Sequence, residues 1–115
     1  MNALVIVDES GAATRRAIHG MDLALELARS EGLTVRVYLL GAAVELACAG
    51  GTGLDSHTVG RTVSRLVSGG VEVAVSETEL TARGLRPDDL VVGAQPASGP
   101  TLAAWTLDAD RILVF

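Results

Sequence analysis

Short apolar runs alternate with amphipathic stretches along the whole chain. Ala3–Val7 is continuously apolar and rich in β-branched residues, which is typical of a strand buried on both faces. Between Ala13 and Ser30, apolar residues recur at helical spacing opposite a charged stripe. The same alternation predicts four more strands, at Thr34–Leu40, Val71–Val75, Leu90–Val92 and Arg111–Phe115. It predicts four further helical segments, at Gly41–Ala49, Ser56–Ser68, Thr78–Arg83 and Ser98–Leu107.

Five strands separated by helices in 115 residues predict one α/β domain over residues 1–115. We expect a three-layer α/β/α architecture with a five-stranded parallel sheet in the flavodoxin-like order 2-1-3-4-5. That order places the ends of strands one and three side by side, where such folds bind ligands. The residues expected to meet there are Asp8, Glu9 and Ser10 after strand one and Ser76, Glu77 and Glu79 after strand three.

The composition favours self-association and disfavours two classes of partner. Hydrophobic residues make up 49% of the chain and the mean hydropathy is +0.40, which is high for a small domain. Surplus aliphatic surface of this kind often contacts a copy of the same chain. A net charge of −5 argues against nucleic acid and anionic membranes as partners. Because there is neither a basic leader nor a long apolar segment, the sequence predicts a cytoplasmic protein with no membrane span.

Residue usage excludes several chemistries. The chain has no lysine, so Schiff-base and P-loop lysine chemistry are absent. Cys48 is the single cysteine, which excludes intrachain disulfides and CxxC motifs. His19 and His57 lack partners at metal-ligand spacing. We therefore expect neither a metal site nor a cofactor.

Four segments carry a family resemblance: Ala17–Leu27 (AIHGMDLALEL), Val37–Val44 (VYLLGAAV), Val71–Gly84 (VEVAVSETELTARG) and Leu102–Phe115 (LAAWTLDADRILVF). In this order and spacing the chain resembles the DsrE/DsrF-like sulfur-relay family, which also includes YchN-like and TusD-like proteins. The resemblance covers nearly the whole chain. It implies a homo-oligomer, commonly a trimer or hexamer with a dimer also possible, and a persulfide-carrying cysteine at the end of strand three.

The chain departs from the family pattern at that cysteine. Many relatives read C-x-x-C before the Ala-Arg-Gly stretch, and the two matching positions here are Ser76 and Glu79, while Ala82–Gly84 keeps the stretch. A serine hydroxyl is far less acidic than a thiol and cannot hold sulfane sulfur. The resemblance therefore implies a non-catalytic member that binds a small molecule or a partner protein. A cysteine-bearing paralogue or another sulfur-relay protein is the partner class that it suggests.

The corner after strand three admits two interpretations. Ser-x-x-Glu is the capping-box pattern, so Ser76 and Glu79 are expected to cap the short helix, and Arg83 to pair with Glu79. Alternatively, these residues form a polar pocket with Asp8 and Glu9 that binds a cationic or hydrogen-bonding ligand. Paired carboxylates there also permit acid–base chemistry.

Two other functions stay open at this point. Cys48 is either a small buried residue or a relocated sulfur carrier, which would need exposure and a nearby positive charge. Asp8–Ser10 resembles the first loop of nucleotide-binding universal stress proteins, although their C-terminal glycine-rich motif is missing. The glycine-rich loop Gly50–Gly53 lacks the spacing of a phosphate-binding motif.

Overall fold

The computed structural model describes residues 1–8, 14–48 and 54–115. Its five strands, all paired in parallel, are β1 Asn2–Asp8, β2 Thr34–Leu40, β3 Glu72–Ser76, β4 Ala94–Ala97 and β5 Arg111–Val114. The α-helices of the described residues are α1 Thr14–Ala28, α2 Leu54–Ser68, α3 Glu77–Ala82 and α4 Gly99–Asp108, and 3-10 helices span Gly41–Ala47 and Pro87–Asp89. The predicted α/β class and the parallel five-stranded sheet are confirmed.

The strand order differs from the predicted 2-1-3-4-5. The observed order is β4-β3-β2-β1-β5, so that β2 lies between β1 and β3. From β1 to β4 each strand pairs with the one before it, and the chain then crosses the sheet through α4 to place β5 beside β1. The reversal of direction thus follows β4 instead of β2. The alternation of strands and helices is the same in both orders, which is why the pattern alone did not separate them.

The fourth strand was predicted four residues too early. Leu90 forms only an isolated antiparallel bridge with Cys48, and the Val91 N–H donates to the Ala47 carbonyl at 2.7 Å. Gly93 then turns the chain with φ +95°, a left-handed conformation that favours glycine. The true strand, β4, reads Ala-Gln-Pro-Ala, and a proline is tolerated there because β4 is an edge strand.

Helices cover the two faces of the sheet unequally. Helices α1 and α2 pack together on one face, over a core that includes Val5, Val37 and Val73. The other face buries Leu4, Tyr38 and Ala74 beneath α4. In the described part of the chain, no helix is long and apolar enough to cross a bilayer.

Polar contacts fix α4 to the sheet at both ends. At its start, the Tyr38 hydroxyl donates to the Ala97 and Ser98 carbonyls, both at 3.1 Å. At its end, the Asp108 carboxylate accepts from Arg36 at 3.2 Å and from the Asn2 amide at 2.8 Å. The orientation of α4 across the sheet therefore does not depend on apolar packing alone.

Candidate functional site

The carboxyl ends of the central strands carry a row of side chains on the α4 face. Side chains alternate along a strand, so Asp8, Leu40 and Ser76 lie on the same face as Leu4, Tyr38 and Ala74. Asp8 is the register partner of Leu40 in the neighbouring strand. We call Asp8, Leu40 and Ser76 the strand-end row.

The structure does not bring Asp8 and Ser76 together as predicted. Because β2 lies between their strands, they are two strand spacings apart, or about 10 Å. The predicted juxtaposition of strands one and three is therefore wrong, and Leu40 separates the two groups. Glu9 and Ser10 lie outside the described residues, as does the loop Gly50–Gly53.

Asp8 lies over the beginning of the 3-10 helix that follows β2. A Cβ atom at Gly41 would come within 2.6 Å of Asp8 Oδ1, and Gly41 also has φ +53°. Glycine is thus required here both by backbone conformation and by the approach of the carboxylate. The Asp8 N–H donates to the Phe115 carbonyl at 2.9 Å, which ties the end of β1 to β5.

Ser76 caps α3. Its Oγ accepts the Glu79 N–H at 3.3 Å, and its side chain is buried, with 7% of the residue exposed. This satisfies one of the N–H groups that the first turn of a helix leaves without a partner. The capping interaction expected from the Ser-x-x-Glu pattern is therefore present at Ser76.

Arg83 joins α3 to the 3-10 helix after β2. Its Nε lies 3.4 Å from Glu79 Oε2, the predicted pair four residues apart, and its Nη1 lies 3.0 Å from Glu45 Oε1. The sequence reasoning missed the contact with Glu45, which lies 38 positions away. The guanidinium is thus shared between two carboxylates.

Tyr38 is the structural residue of this corner that the sequence reasoning did not single out. Its ring meets the Trp105 ring edge-on, with centroids 6.0 Å apart. Burial, together with the negative charge of Glu77, raises the pKa of the Tyr38 hydroxyl, which therefore stays protonated and remains a donor. A polar-tipped aromatic residue in an apolar, largely buried strand is the signal that could have identified it.

Cys48 lies in a negative environment. The residue is partly buried, and its Sγ lies 3.8 Å from the Val44 carbonyl. Burial raises the pKa of the thiol, and the carboxylates of Asp89 and Glu45 raise it further. A sulfur carrier needs an accessible thiolate beside positive charge, so this environment is unfavourable for the relocated-carrier hypothesis.

Comparison with known proteins gives the family. The family model of the DsrE/DsrF-like family matches residues 1–115. The chain belongs to this family. Protein YchN of Escherichia coli K-12 is 26% identical over 117 residues, which cover 100% of both chains. The YchN protein of Shigella flexneri matches to the same extent.

Solved structures agree with the assignment. The crystal structure of the E. coli ychN protein has a TM-score of 0.86 at 26% identity, with both chains fully covered. A protein of unknown function from Methanobacterium thermoautotrophicum gives 0.69 at 20% identity, over 97% of this chain and 96% of that one. A conserved protein of unknown function from Bacteroides thetaiotaomicron gives 0.76 at 14%, over 99% and 94%. The last two similarities support the fold alone.

For this DsrE-like chain, the described residues offer no group for a metal. Among residues 1–8, 14–48 and 54–115, no three His, Cys, Asp or Glu side chains lie close enough together to hold an ion. The polar groups of the corner are instead carboxylates, one guanidinium and a capping hydroxyl. Such groups can bind through charge and hydrogen bonds.

Proposed function

We propose that this protein is a divergent DsrE-like member of cytoplasmic sulfur metabolism that binds a small molecule or a partner protein, as a homo-oligomer, without carrying sulfur itself. The observation that carries the proposal is the state of Ser76. The family resemblance places the sulfur carrier at this position, and here its oxygen is buried and engaged in capping α3. The segment after β3 therefore retains a capped helix but lacks the sulfur atom that would carry a persulfide.

The charge of the corner indicates the class of ligand. Asp8 and Glu77 are both exposed, and the neighbouring guanidinium of Arg83 is already shared by Glu45 and Glu79. This excess of carboxylates favours a cationic or hydrogen-bond-donating molecule over an anion. We propose that Asp8, at one end of the strand-end row, and Glu79 and Arg83, beside the other end, take part in binding, with Ser76 holding α3 in place as its cap. Glu9 and Ser10 are proposed with them from the sequence alone.

If the bound molecule is a protein, the partner we propose is a cysteine-bearing paralogue. A cysteine-bearing paralogue would supply the thiol that this chain lacks, and this chain would then serve as a structural subunit. Sulfur transfer through Cys48 is a competing function, but the raised pKa of that thiol disfavours the thiolate that such transfer needs. Nucleotide binding of the universal stress type is the third candidate function, and a thermal shift with ATP tests it.

A persulfide-loading assay tests the proposal. Purified native protein is incubated with a sulfane-sulfur donor, and its intact mass is then measured with and without prior alkylation of Cys48. We expect no added sulfur, because Ser76 cannot form a persulfide and the Cys48 thiolate is disfavoured. A stoichiometric gain of one sulfur atom that is lost on alkylation, or in Cys48→Ala, would overturn the proposal.

The matched variant is Ser76→Cys in a Cys48→Ala background. It restores sulfur at the position that the resemblance assigns to the carrier, and the Glu79 N–H that Ser76 accepts would face the new thiolate. Position 76 is only 7% exposed in the native chain, so the variant tests whether the sulfur donor can reach a thiol there. A gain of one sulfur atom would identify the atom at position 76 as the reason why the native chain does not load, whereas no gain would show that the buried position is inaccessible as well.

A further inference from the structure

A groove separates α4 from the free edge of the sheet, and we call it the α4–β4 groove. Thr101 and Trp105, one helical turn apart, line it on the helix side. On the sheet side it is lined by Ala74 and Ala97, whose side chains lie on the α4 face and are too small to fill the space beside the Trp105 ring. The groove thus arises where small residues lie opposite a large one.

Its size suits a small molecule. The cavity volume is about 240 Å³, which is below the roughly 300–1,000 Å³ of pockets that enclose drug-sized ligands. It corresponds to about eight water molecules at about 30 Å³ each. A ligand that fills the groove is therefore expected to contain fewer than about ten non-hydrogen atoms.

The charged group at the groove is a carboxylate. Among the described residues that line the groove, Glu72 is the charged one, and its side chain is 59% exposed. Its pairing with Arg36 is long, at 3.5 Å between Nε and Oε1, because the same guanidinium lies closer to Asp108, at 3.2 Å. A carboxylate has about four acceptor sites. Most of the hydrogen-bonding capacity of Glu72 is therefore available to a ligand.

The free edge of β4 adds further acceptors. Pro96 has no N–H, so the ladder with β3 is made by its neighbours Gln95 and Ala97. Because successive residues turn their polar groups to opposite sides of a strand, the carbonyls of Ala94 and Pro96 point to the free edge. The Ala94 N–H is already donated to the Val91 carbonyl at 3.0 Å. The backbone beside the groove therefore favours a ligand that donates hydrogen bonds.

Trp105 provides a surface that attracts cations. The Arg36 guanidinium lies 5.1 Å from the centroid of the Trp105 ring, within the range of a cation–π interaction. The ring is held in place by Tyr38, which meets it edge-on at 6.0 Å. A cation of the chain itself thus already uses the negative face of this ring.

We propose that the α4–β4 groove binds a small organic cation that consists of one ammonium group on a short aliphatic stem. The ammonium donates to Glu72, and the stem lies along Ala74 and Ala97 against Trp105. The groove is separate from the strand-end row, since Glu72 begins β3 and Ser76 ends it, about 13 Å away. The inference therefore goes beyond the proposed function, which concerns the strand-end row.

Charge decides between the possible classes of ligand. The Arg36 guanidinium is engaged by Glu72 and Asp108, so the described residues offer an anion no free cation at the groove. The net charge of −5 also raises the local concentration of cations over anions. A single lining carboxylate matches one ammonium group better than the two or more of a polyamine.

The fluorescence of Trp105 tests the proposal, because Trp105 is the single tryptophan of the chain. Native protein is titrated with n-hexylammonium chloride and, separately, with 1-hexanol, which has the same length and no charge. We expect a saturable change with n-hexylammonium, half-complete at millimolar concentration as is usual for so small a ligand. 1-Hexanol should bind about fivefold more weakly, as expected for the loss of one partly exposed ion pair.

Two variants place the ligand in the groove. Glu72→Gln keeps the shape of the side chain and removes its charge, and it should weaken n-hexylammonium binding by about fivefold. Gln95→Arg places a guanidinium within reach of Glu72 from the neighbouring strand, and it should prevent binding. The matched control is Glu26→Gln, which makes the same change of net charge on α1, at the opposite face of the sheet. It should bind as the native chain does.

Three outcomes overturn the inference. A Trp105 signal that does not change up to tens of millimolar n-hexylammonium shows that the groove does not bind such a cation. Equal binding of n-hexylammonium and 1-hexanol shows that it recognises the stem alone. Equal effects of Glu72→Gln and Glu26→Gln show that net charge, and not Glu72, attracts the ligand. The sulfur-loading assay is independent of all three, because neither Ser76 nor Cys48 lines the groove.

Discussion

The two faces of the sheet differ in how completely helices cover them. Beneath α1 and α2, side chains such as Val5, Met21 and Leu66 are fully buried. Beneath α4, the buried apolar residues among those described are Leu4, Tyr38 and Ala74, with exposed aliphatic residues around them. The first face has the packing expected of a stable core. The second retains exposed apolar surface and the α4–β4 groove.

The largest expected effect is a loss of stability on the covered face. Leu66→Ala removes a fully buried side chain from α2, and we expect it to lower the free energy of unfolding by about 2–5 kcal/mol. Leu107→Ala removes the same atoms from an exposed position on α4, where substitutions usually change stability by about 0.5 kcal/mol or less.

Urea denaturation of both variants measures this difference, and each variant is measured at several protein concentrations so that any contribution from self-association is recognised. Comparable losses for the two variants would show that α4 is as much a part of the core as α2.

A smaller effect is expected for the Tyr38 hydroxyl, which lies on the sheet face beneath α4. Tyr38→Phe keeps the ring against Trp105 but removes the hydroxyl that donates to the Ala97 and Ser98 carbonyls. We expect Tyr38→Phe to lower the free energy of unfolding by about 1 kcal/mol. Hydrogen exchange should also accelerate at Thr101 and Leu102, whose N–H groups donate to the Ser98 carbonyl. Unchanged exchange there would mean that the Tyr38 hydroxyl does not help to position the start of α4.

Local features were predicted from the sequence better than distant ones. The strand Thr34–Leu40 has the predicted bounds, and the Ser76 cap and the Glu79–Arg83 pair join residues three and four positions apart. Such contacts follow from helix geometry alone. Arg83–Glu45 and Tyr38–Ala97 span 38 and 59 positions, and they depend on which strands are neighbours.

The strand order itself was not encoded in the apolar pattern. The pattern identifies a strand by its own residues, whereas order depends on the side of the sheet to which each connection packs. Strand β4 was displaced for a related reason. Leu90–Val92 is apolar because Leu90 and Val91 pack beside the 3-10 helix and Cys48, whereas Ala94–Ala97 lacks β-branched residues.

The Ser76 cap should contribute less than the core and about as much as other helix caps. We expect Ser76→Ala to lower the free energy of unfolding by about 1 kcal/mol, because the Glu79 N–H loses its acceptor. Ser76→Thr keeps a hydroxyl oxygen and should recover most of this loss. If Ser76→Ala is as stable as the native chain, the 3.3 Å contact is not a stabilising cap, and the hydroxyl is free to serve a ligand.

The smallest expected effect concerns the reactivity of Cys48. Its pKa is raised by burial and by Asp89 and Glu45, so its alkylation rate should reach half-maximum at a higher pH than that of a free thiol, about 8.5. Asp89→Asn keeps an oxygen for the Arg86 N–H, which Asp89 now accepts at 2.8 Å, and removes the charge. It should lower that midpoint, whereas Asp88→Asn should leave it almost unchanged.

The same shift determines how stability depends on pH. A thiol whose pKa is higher in the folded state is favoured there in its neutral form, so its stabilising contribution is fully present below the unfolded-state pKa and is lost as pH rises through the folded-state pKa. A Cys48→Ala variant should therefore lose less stability than the native chain on going from neutral to alkaline pH. A midpoint at or below that of a free thiol would contradict the burial of Cys48 beside the covered face. It would also remove the raised pKa as an argument against Cys48 as a sulfur carrier.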